Sequence, residues 1–262
     1  MRISLRKHLA RLGPWLDDVQ ETWIGWSLPP ANRAIKDAGW KPDSAIVYCS
    51  RCGTTVGDGE ATSLGCGSCR GKKINTNATV RLGPYSNELS EWVRCIKYQR
   101  WPEMGEELGT MLGSSLRDSG YVDFTNGIVV PMPMPWQRRM CRGIDHALVI
   151  AGAVASQLKM PLFRVLAKDN GIPQVAKSST ERIRSGGKGF KLTRRLGGWK
   201  LSGVQVILVD DVRTTGASIR GASKILKKAG STNVIASVIA VSDELARRER
   251  SKTLPESPLA LL

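Results

Sequence analysis

Two adjacent acids, Asp210 and Asp211, are the side chains of this sequence best placed to do chemistry. They follow residues 206–209, an apolar run with the composition of a buried strand. A turn of small residues follows the acids, and a helical pattern begins after it. The carboxyl end of a strand in an open α/β sheet is the edge where ligands bind. The pattern therefore predicts a ligand site that contains both carboxylates.

The turn after the acids has the composition of a phosphate-binding loop. Backbone N–H groups and hydroxyls at the start of a helix hydrogen-bond to phosphate, and the helix dipole favours the negative charge. Adjacent carboxylates accept hydrogen bonds from vicinal hydroxyls and favour a divalent cation. Together these features predict a ribose 5-phosphate ligand, bound by Asp210, Asp211, Val212, Arg213, Thr214, Thr215, Gly216, Ala217 and Ser218.

A purely structural role explains less of this segment. Acids that only ended a strand and capped a helix would account for one carboxylate and one threonine, but not for the whole run of residues. The sequence also contains neither G-x-x-x-x-G-K-[ST] nor a strand followed by G-x-G-x-x-G, the other common phosphate-binding patterns.

Four of the six cysteines have the spacing of a metal site, with thirteen residues between two C-x-x-C pairs. Each pair supplies two corners of a tetrahedron, and four thiolates close the coordination shell, which is typical of structural zinc. A redox-active C-x-x-C is the alternative, but it does not explain the second pair. The sequence predicts a zinc ribbon ligated by Cys49, Cys52, Cys66 and Cys69, while the remaining Cys95 and Cys141 are expected to be buried.

Helical and strand patterns alternate after Tyr85. Apolar residues at helical spacing predict helices around residues 89–96, 104–112, 147–158 and 219–229, and apolar runs predict strands at residues 128–130, 163–166, 204–209 and 234–241. This order predicts an α/β fold, in which helices flank a parallel sheet on both faces. The expected domains are an N-terminal helical arm (1–44), the ribbon (45–76), the α/β domain (80–243) and a flexible tail (244–262).

The strand with Asp-Asp-x-x-Thr-Thr-Gly-x-Ser resembles the phosphoribosyl pyrophosphate (PRPP) motif of type I phosphoribosyltransferases. With the four-cysteine ribbon upstream, the sequence specifically resembles the ComF family, which includes GntX-like proteins and is linked to DNA uptake in competence. The resemblance extends from about Tyr48 to Ser242. It includes residues 89–98, Val130-Pro-Met-Pro with Arg138-Arg139, residues 142–147, Pro173-Gln174, Arg182 and Phe190.

The resemblance implies a site that binds PRPP with magnesium and transfers the phosphoribosyl group to an acceptor. It implies that Asp210 and Asp211 bind the ribose hydroxyls, that the threonine-rich turn binds the 5-phosphate, and that the turn after Val130 binds the pyrophosphate. Lys97, Arg138 and Arg142 are the cationic candidates for the pyrophosphate. Thr214 stands where the 6-oxopurine enzymes have an acid, so the resemblance does not imply a hypoxanthine-guanine enzyme. Asp145-His146 replaces the usual Asn-Gln, and a structural role is expected for His146.

The chain of 262 residues has a net charge of +16, which favours a polyanionic partner. Residues 177–200 contain eight basic residues and one acid, a net charge of +7, among five glycines. This stretch is interpreted as a loop that closes over PRPP, as a contact for single-stranded DNA, or as a solvated surface. The competing function is accordingly a non-catalytic adaptor that binds single-stranded DNA or a DNA-uptake helicase. No apolar run is long enough to span a membrane, and a cytoplasmic location is expected.

Overall fold

The computed structural model describes residues 28–57, 59–60, 64–135, 138–140, 143–168, 189–193 and 201–243. The chain divides into two compact units, Met1–Gly39 and Trp40–Leu262. In the first, the described residues include one short helix, α1 (Ala31–Asp37), with an exposed ion pair between Arg33 and Asp37. None of the described helices is long and apolar enough to cross a membrane.

The second unit contains a four-stranded parallel sheet with the strand order β1-β6-β5-β2. A separate antiparallel pair is formed by β3 and β4. The strands are β1 (Ala78–Pro84), β2 (Gly127–Pro131), β3 (Leu166–Lys168), β4 (Phe190–Leu192), β5 (Gln205–Arg213) and β6 (Val234–Val241). The helices are α2 (Asn87–Tyr98), α3 (Pro102–Asp118), α4 (His146–Leu158) and α5 (Ala217–Lys228).

Helices cover both faces of the sheet, as the sequence predicts. Val206 and Leu208 of β5 belong to a core cluster with residues of α5, so they face that helix. Side chains alternate along a strand, which directs the equally buried Ile207 and Val209 to the opposite face. On that face α4 packs against β2 and β5, while α3 packs against β1 and β6. Because both faces are covered, the central strands are apolar throughout instead of alternating.

The sequence analysis misses β1 and places β3 incorrectly. The missed strand contains Arg81, Gly83 and Pro84, which interrupt the apolar pattern expected of a buried strand. The strand predicted at residues 163–166 begins only at Leu166, because Phe163 instead donates its backbone N–H to Val129 and is partly exposed. Cys95 is only half-buried, since it lies at the edge of the apolar stripe of α2, and Cys141 lies outside the described residues.

A buried arginine joins the ribbon segment to the sheet. The side chain of Arg81 on β1 is fully buried, and its guanidinium lies 2.6 Å from Asp43 and 3.4 Å from Asp243, which follows β6. It also donates a hydrogen bond to Thr55 Oγ1 at 2.9 Å and lies over the ring of Tyr48. One cation therefore joins β1 to residues 43–55 and to Asp243 beyond the end of β6.

Replacing Arg81 with methionine, which has a similar length, is expected to lower the free energy of unfolding by about 3–5 kcal/mol, because it leaves the buried Asp243 and the partly buried Asp43 without this cation. Urea unfolding followed by tryptophan fluorescence measures the change. Arg33→Met is the matched control, since its ion pair is exposed and contributes about 0.5 kcal/mol or less. Equal losses in the two variants would contradict the role assigned to Arg81.

Candidate functional site

The two acids lie at the end of β5, but their environments differ. Asp211 Oδ2 is 2.9 Å from Lys97 Nζ on α2 and 2.9 Å from His146 Nε2 at the start of α4. Asp210 makes no ion pair with any residue in the described part of the chain; its Oδ1 accepts a hydrogen bond from the backbone N–H of Asp211. The site therefore holds one neutralised carboxylate and one whose charge has no direct partner.

These environments move the two pKa values in opposite directions. Burial raises the pKa of Asp210 well above its usual range, and the negative charge of Asp211 raises it further. Burial also opposes ionisation of Asp211, but hydrogen bonds from His146 and the charge of Lys97 outweigh it and lower the pKa of Asp211. The contacts of Lys97 and His146 therefore favour the charged form of Asp211, whereas burial and the charge of Asp211 disfavour the charged form of Asp210.

The sequence analysis expects a structural role for His146, and the structure gives this histidine a specific contact. The side chain is buried, and Nε2 is the atom that meets Asp211. Its Nδ1 has no hydrogen-bond partner among the described residues. Because Nε2 faces a carboxylate oxygen, we assign a proton to Nε2. His146 therefore orients the carboxylate that belongs to the motif.

A cavity of about 190 Å³, here called the acid-pair cavity, lies in front of these carboxylates. Of the residues predicted for the site, it brings together Lys97, Arg138, Asp210, Asp211 and Ser218. The turn after β2 forms its wall with residues 132–135. Among the remaining predicted residues, Thr214 and Thr215 are exposed beside α5, Val212 and Arg213 are half-buried, and Arg142 lies outside the described residues.

The segment here called the threonine loop, residues 212–218, comprises the last two residues of β5, the turn at residues 214–216 and the first two residues of α5. Gly216 has a φ of +70°, a conformation that side chains with a Cβ rarely adopt, and α5 begins at the next residue. The Thr215 hydroxyl accepts a hydrogen bond from Ala217 N at 3.4 Å. The loop presents hydroxyls and the first N–H groups of a twelve-residue helix next to the acid pair.

A second cavity of about 400 Å³, here called the arginine cavity, shares residues 132–135 and Lys168 with the acid-pair cavity. Arg139 and Arg164 both pair with Asp145, which also accepts a hydrogen bond from Leu148 N at the start of α4. Burial lowers the pKa of Lys168, and the charge of Arg138 adds to this effect. Three cations against one carboxylate give this cavity a positive character.

The sequence analysis does not assign Arg139, Arg164 and Lys168 to a site. Arg139 is adjacent to a predicted residue, but Arg164 and Lys168 come from the segment between α4 and the basic stretch, which carries no motif. They meet Arg139 only because β3 lies beside the turn after β2. The sequence offers one signal for these residues, which is that Lys168 is a basic residue at the end of a short strand.

The four predicted metal ligands converge in the ribbon segment. All four thiol sulfurs are buried and lie within 4.8 Å of one another, with no disulfide among them. A tetrahedral zinc with bonds of about 2.3 Å to sulfur requires sulfurs about 3.8 Å apart. The observed separations of 3.8 Å (Cys49 to Cys69), 3.6 Å (Cys52 to Cys66) and 3.9 Å (Cys66 to Cys69) match this value. The residues therefore fit a closed, structural metal site.

Local backbone geometry permits this cluster. Gly65 has a φ of +99°, and a Cβ at this position would lie 2.4 Å from the sulfur of Cys69. Backbone hydrogen bonds also favour the thiolate of Cys49: burial alone would raise its pKa, but these bonds lower it to about 7. Burial instead raises the pKa of Cys69 to about 12, so the full set of thiolates requires a metal cation.

Residues 144–257 match the profile of the phosphoribosyl transferase domain. Competence protein F of Haemophilus influenzae is 25% identical over 194 residues, which cover 72% of this chain and 82% of that protein. The chain is thus similar to competence protein F over most of its length, and residues 144–257 are similar to the phosphoribosyl transferase domain. The predicted resemblance to the ComF family and the predicted fold are confirmed.

Several solved structures are also similar to this chain. The glutamine PRPP amidotransferase from B. subtilis is 20% identical, with a TM-score of 0.38, and the similarity covers 58% of this chain and 31% of that one. The chain thus spans about a third of that enzyme. Adenine phosphoribosyltransferase from Saccharomyces cerevisiae is 18% identical, with a TM-score of 0.37, and the similarity covers 60% of this chain and 78% of that one.

We expect the purified protein to contain about one zinc per chain and to lose it in Cys49→Ser/Cys52→Ser, because two ligands cannot close the tetrahedral site. Inductively coupled plasma mass spectrometry measures the metal. Cys95→Ser, which removes a thiol outside the cluster, serves as the control and is expected to keep the zinc. A folded wild-type protein without any metal would be incompatible with the ribbon.

Proposed function

We propose that the acid-pair cavity and the threonine loop bind PRPP with magnesium. The observation that carries the proposal is the pair of carboxylates at the strand end: one is already neutralised by Lys97, and the other has no cation within ion-pair distance in the described chain. Two vicinal hydroxyls of a ribose would hydrogen-bond to this pair. A 5-phosphate would then reach the hydroxyls and N–H groups of the threonine loop.

Magnesium fits the same arrangement. Asp210 is partly buried, and desolvation together with the charge of Asp211 raises its pKa, so a cation at this carboxylate would offset both effects. A hard divalent cation prefers such a carboxylate and retains several of its waters, which suits a cavity open to solvent. When bound with PRPP, magnesium would neutralise the charge that develops on the pyrophosphate. Asp210 would supply the carboxylate, while Lys97 and His146 keep Asp211 ionised and oriented.

The pyrophosphate of PRPP would occupy the arginine cavity. The pyrophosphate and the 5-phosphate are attached to opposite faces of the ribose. A ligand with its ribose at the acid pair would therefore reach the arginine cavity with one group and the threonine loop with the other. The wall formed by residues 132–135 is common to the two cavities. Arg164 is half-exposed and pairs with Asp145 only at 3.7 Å, which leaves its guanidinium available for a bidentate contact with phosphate oxygens.

PRPP bound in this way would be able to transfer its phosphoribosyl group to a nitrogen of an acceptor. The bond between C1 of the ribose and the pyrophosphate oxygen breaks, and the pyrophosphate leaves with the bonding electron pair. The lone pair of the acceptor nitrogen forms the new bond to C1, and the nitrogen releases its proton to solvent. The carboxylates of the acid pair would stabilise the positive charge that develops on the ribose. Lys168, which lines both cavities, would stabilise the leaving group. Whether the chain transfers the group and which acceptor it uses stay predictions.

The DNA-binding adaptor is the second candidate function. Its support is the +7 charge of residues 177–200 and the name of the related competence protein. Of this stretch, the structure describes residues 189–193, which include β4. This strand pairs with β3 beside the arginine cavity. Most of the basic stretch lies outside the described residues. All three interpretations of its charge therefore stay predictions.

Magnesium-PRPP is expected to raise the melting temperature of the wild-type protein, because a ligand that binds only the folded state stabilises it. Asp210→Asn/Asp211→Asn should abolish the shift by removing the carboxylates that meet the ribose and the metal. Differential scanning fluorimetry measures both proteins, and magnesium alone is the control. An unchanged shift in the double variant would overturn the assigned site. A screen for PRPP consumption across nucleobases then separates the enzyme from the adaptor.

Arg164→Ala is expected to weaken the binding of magnesium pyrophosphate about tenfold, the effect of losing one charge-assisted hydrogen bond, and to leave the affinity for ribose 5-phosphate unchanged. Isothermal titration calorimetry with each ligand alone separates the two subsites. Arg94→Ala, which removes an exposed arginine on α2, is the matched control. If Arg164→Ala instead weakened ribose 5-phosphate binding, Arg164 would belong to the 5-phosphate subsite, and the pyrophosphate would not occupy the arginine cavity.

A further inference from the structure

The ribbon segment lies directly behind the threonine loop. Arg51 and Cys52 of the first C-x-x-C pair line a small cavity of about 20 Å³, whose opposite wall includes Arg213 and Gly216 of the loop. A volume of this size holds about one water molecule. The metal-binding end of the ribbon and the proposed phosphate site are therefore separated by little more than one layer of side chains.

Hydrogen bonds connect the two sites. Asn75, which follows the second C-x-x-C pair, donates from Nδ2 to the backbone carbonyl of Arg220 in the first turns of α5 at 3.1 Å. Arg220 in turn donates from Nη1 to the backbone carbonyl of Thr215 at 2.7 Å. The end of the ribbon thus contacts the residue that holds the threonine loop in place.

A second connection runs through β1. Thr79 donates its backbone N–H to Ser50 O at 2.6 Å and its hydroxyl to Arg51 O at 3.1 Å. Thr79 also lines the small cavity beside Gly216. The first knuckle of the ribbon is accordingly fixed against the sheet on one side and against the threonine loop on the other.

The ribbon is expected to be ordered with its metal and disordered without it, because its core consists of the metal ligands. Among the described residues of this segment, the buried cluster contains the four cysteines, with only Val56 and Ile74 packed against them. Two partly buried aliphatic side chains bury too little apolar surface to order some thirty residues on their own. Loss of the metal therefore disorders the segment that carries Arg51, Cys52 and Asn75.

We propose that metal occupancy of the ribbon controls the affinity of the threonine loop for a phosphorylated ribose. The inference rests on the proposed PRPP site. The metal-loaded ribbon holds Arg220 and the Thr215 carbonyl in the arrangement that the ligand requires, and the disordered ribbon releases them. Coupling between two binding sites is reciprocal, so the ligand must raise the affinity of the ribbon for zinc by the same factor.

The test measures both directions of this coupling on the full chain. Calorimetric titration with magnesium-PRPP compares the zinc-loaded protein with protein stripped by a chelator, and we expect the affinity to fall about tenfold on stripping, within the range typical of coupled sites. Competition with a chelating dye gives the zinc affinity with and without PRPP at constant magnesium. We expect PRPP to raise the zinc affinity by the same factor.

Three variants make the test specific. Asn75→Ala breaks the connection without touching a thiol or the acid pair, and it is expected to keep both binding activities while the reciprocal effect falls below about twofold. Lys73→Ala, an exposed neighbour on the same segment, is the matched control and should retain the full effect. Asp210→Asn/Asp211→Asn reports any direct effect of PRPP on zinc in solution and should show no change in zinc affinity.

The outcomes distinguish the coupling from the proposed function. A zinc-loaded wild type that does not bind magnesium-PRPP overturns the proposed function and the coupling with it. Binding of equal affinity in the loaded and stripped proteins overturns the coupling alone. Full coupling in Asn75→Ala would overturn the assigned connection through Arg220.

Discussion

The buried guanidinium of Arg81 is the interaction on which the arrangement of this chain depends. A cation taken fully out of water is costly unless several acceptors surround it. Asp43, Asp243 and Thr55 meet this requirement, and Thr55 also donates its N–H and hydroxyl to Asp243. Because Asp43 precedes the ribbon and Asp243 follows β6, the ribbon can lie in only one place on the sheet.

That placement brings two different kinds of site close together. The ribbon encloses four thiols completely, so a metal there has no open coordination position and contributes to folding. The acid pair instead faces a cavity and keeps one carboxylate without a cation, which is the arrangement of a site that receives a ligand. The threonine loop follows the acid pair in the chain, and its residues Arg213 and Gly216 line the small cavity that Arg51 and Cys52 of the ribbon also line.

The electrostatics of the open site follow from which residues approach each carboxylate. Asp211 and Asp210 are adjacent in sequence and would repel each other if both were ionised in the free protein. Lys97 and His146 come from two different helices and both reach Asp211, so the charge of the pair concentrates on one residue. A metal ion or a hydrogen bond from a ligand at Asp210 would offset the effects that raise its pKa. Two neighbouring acids acquire different roles from their surroundings.

The sequence by itself determined the features that depend on local spacing. The apolar runs of β2, β5 and β6, the helical stripes of α2 to α5 and the C-x-x-C pairs are periodic or fixed patterns, and the parallel sheet and the cysteine cluster follow from them. Only the tertiary structure decided the features that depend on distant segments. β1 was hidden because Arg81 interrupts its apolar pattern, and the arginine cavity joins residues from three elements. His146 and Lys97 are far from Asp211 in sequence, and only the packing of α2 and α4 beside β5 brings these charges within 3 Å.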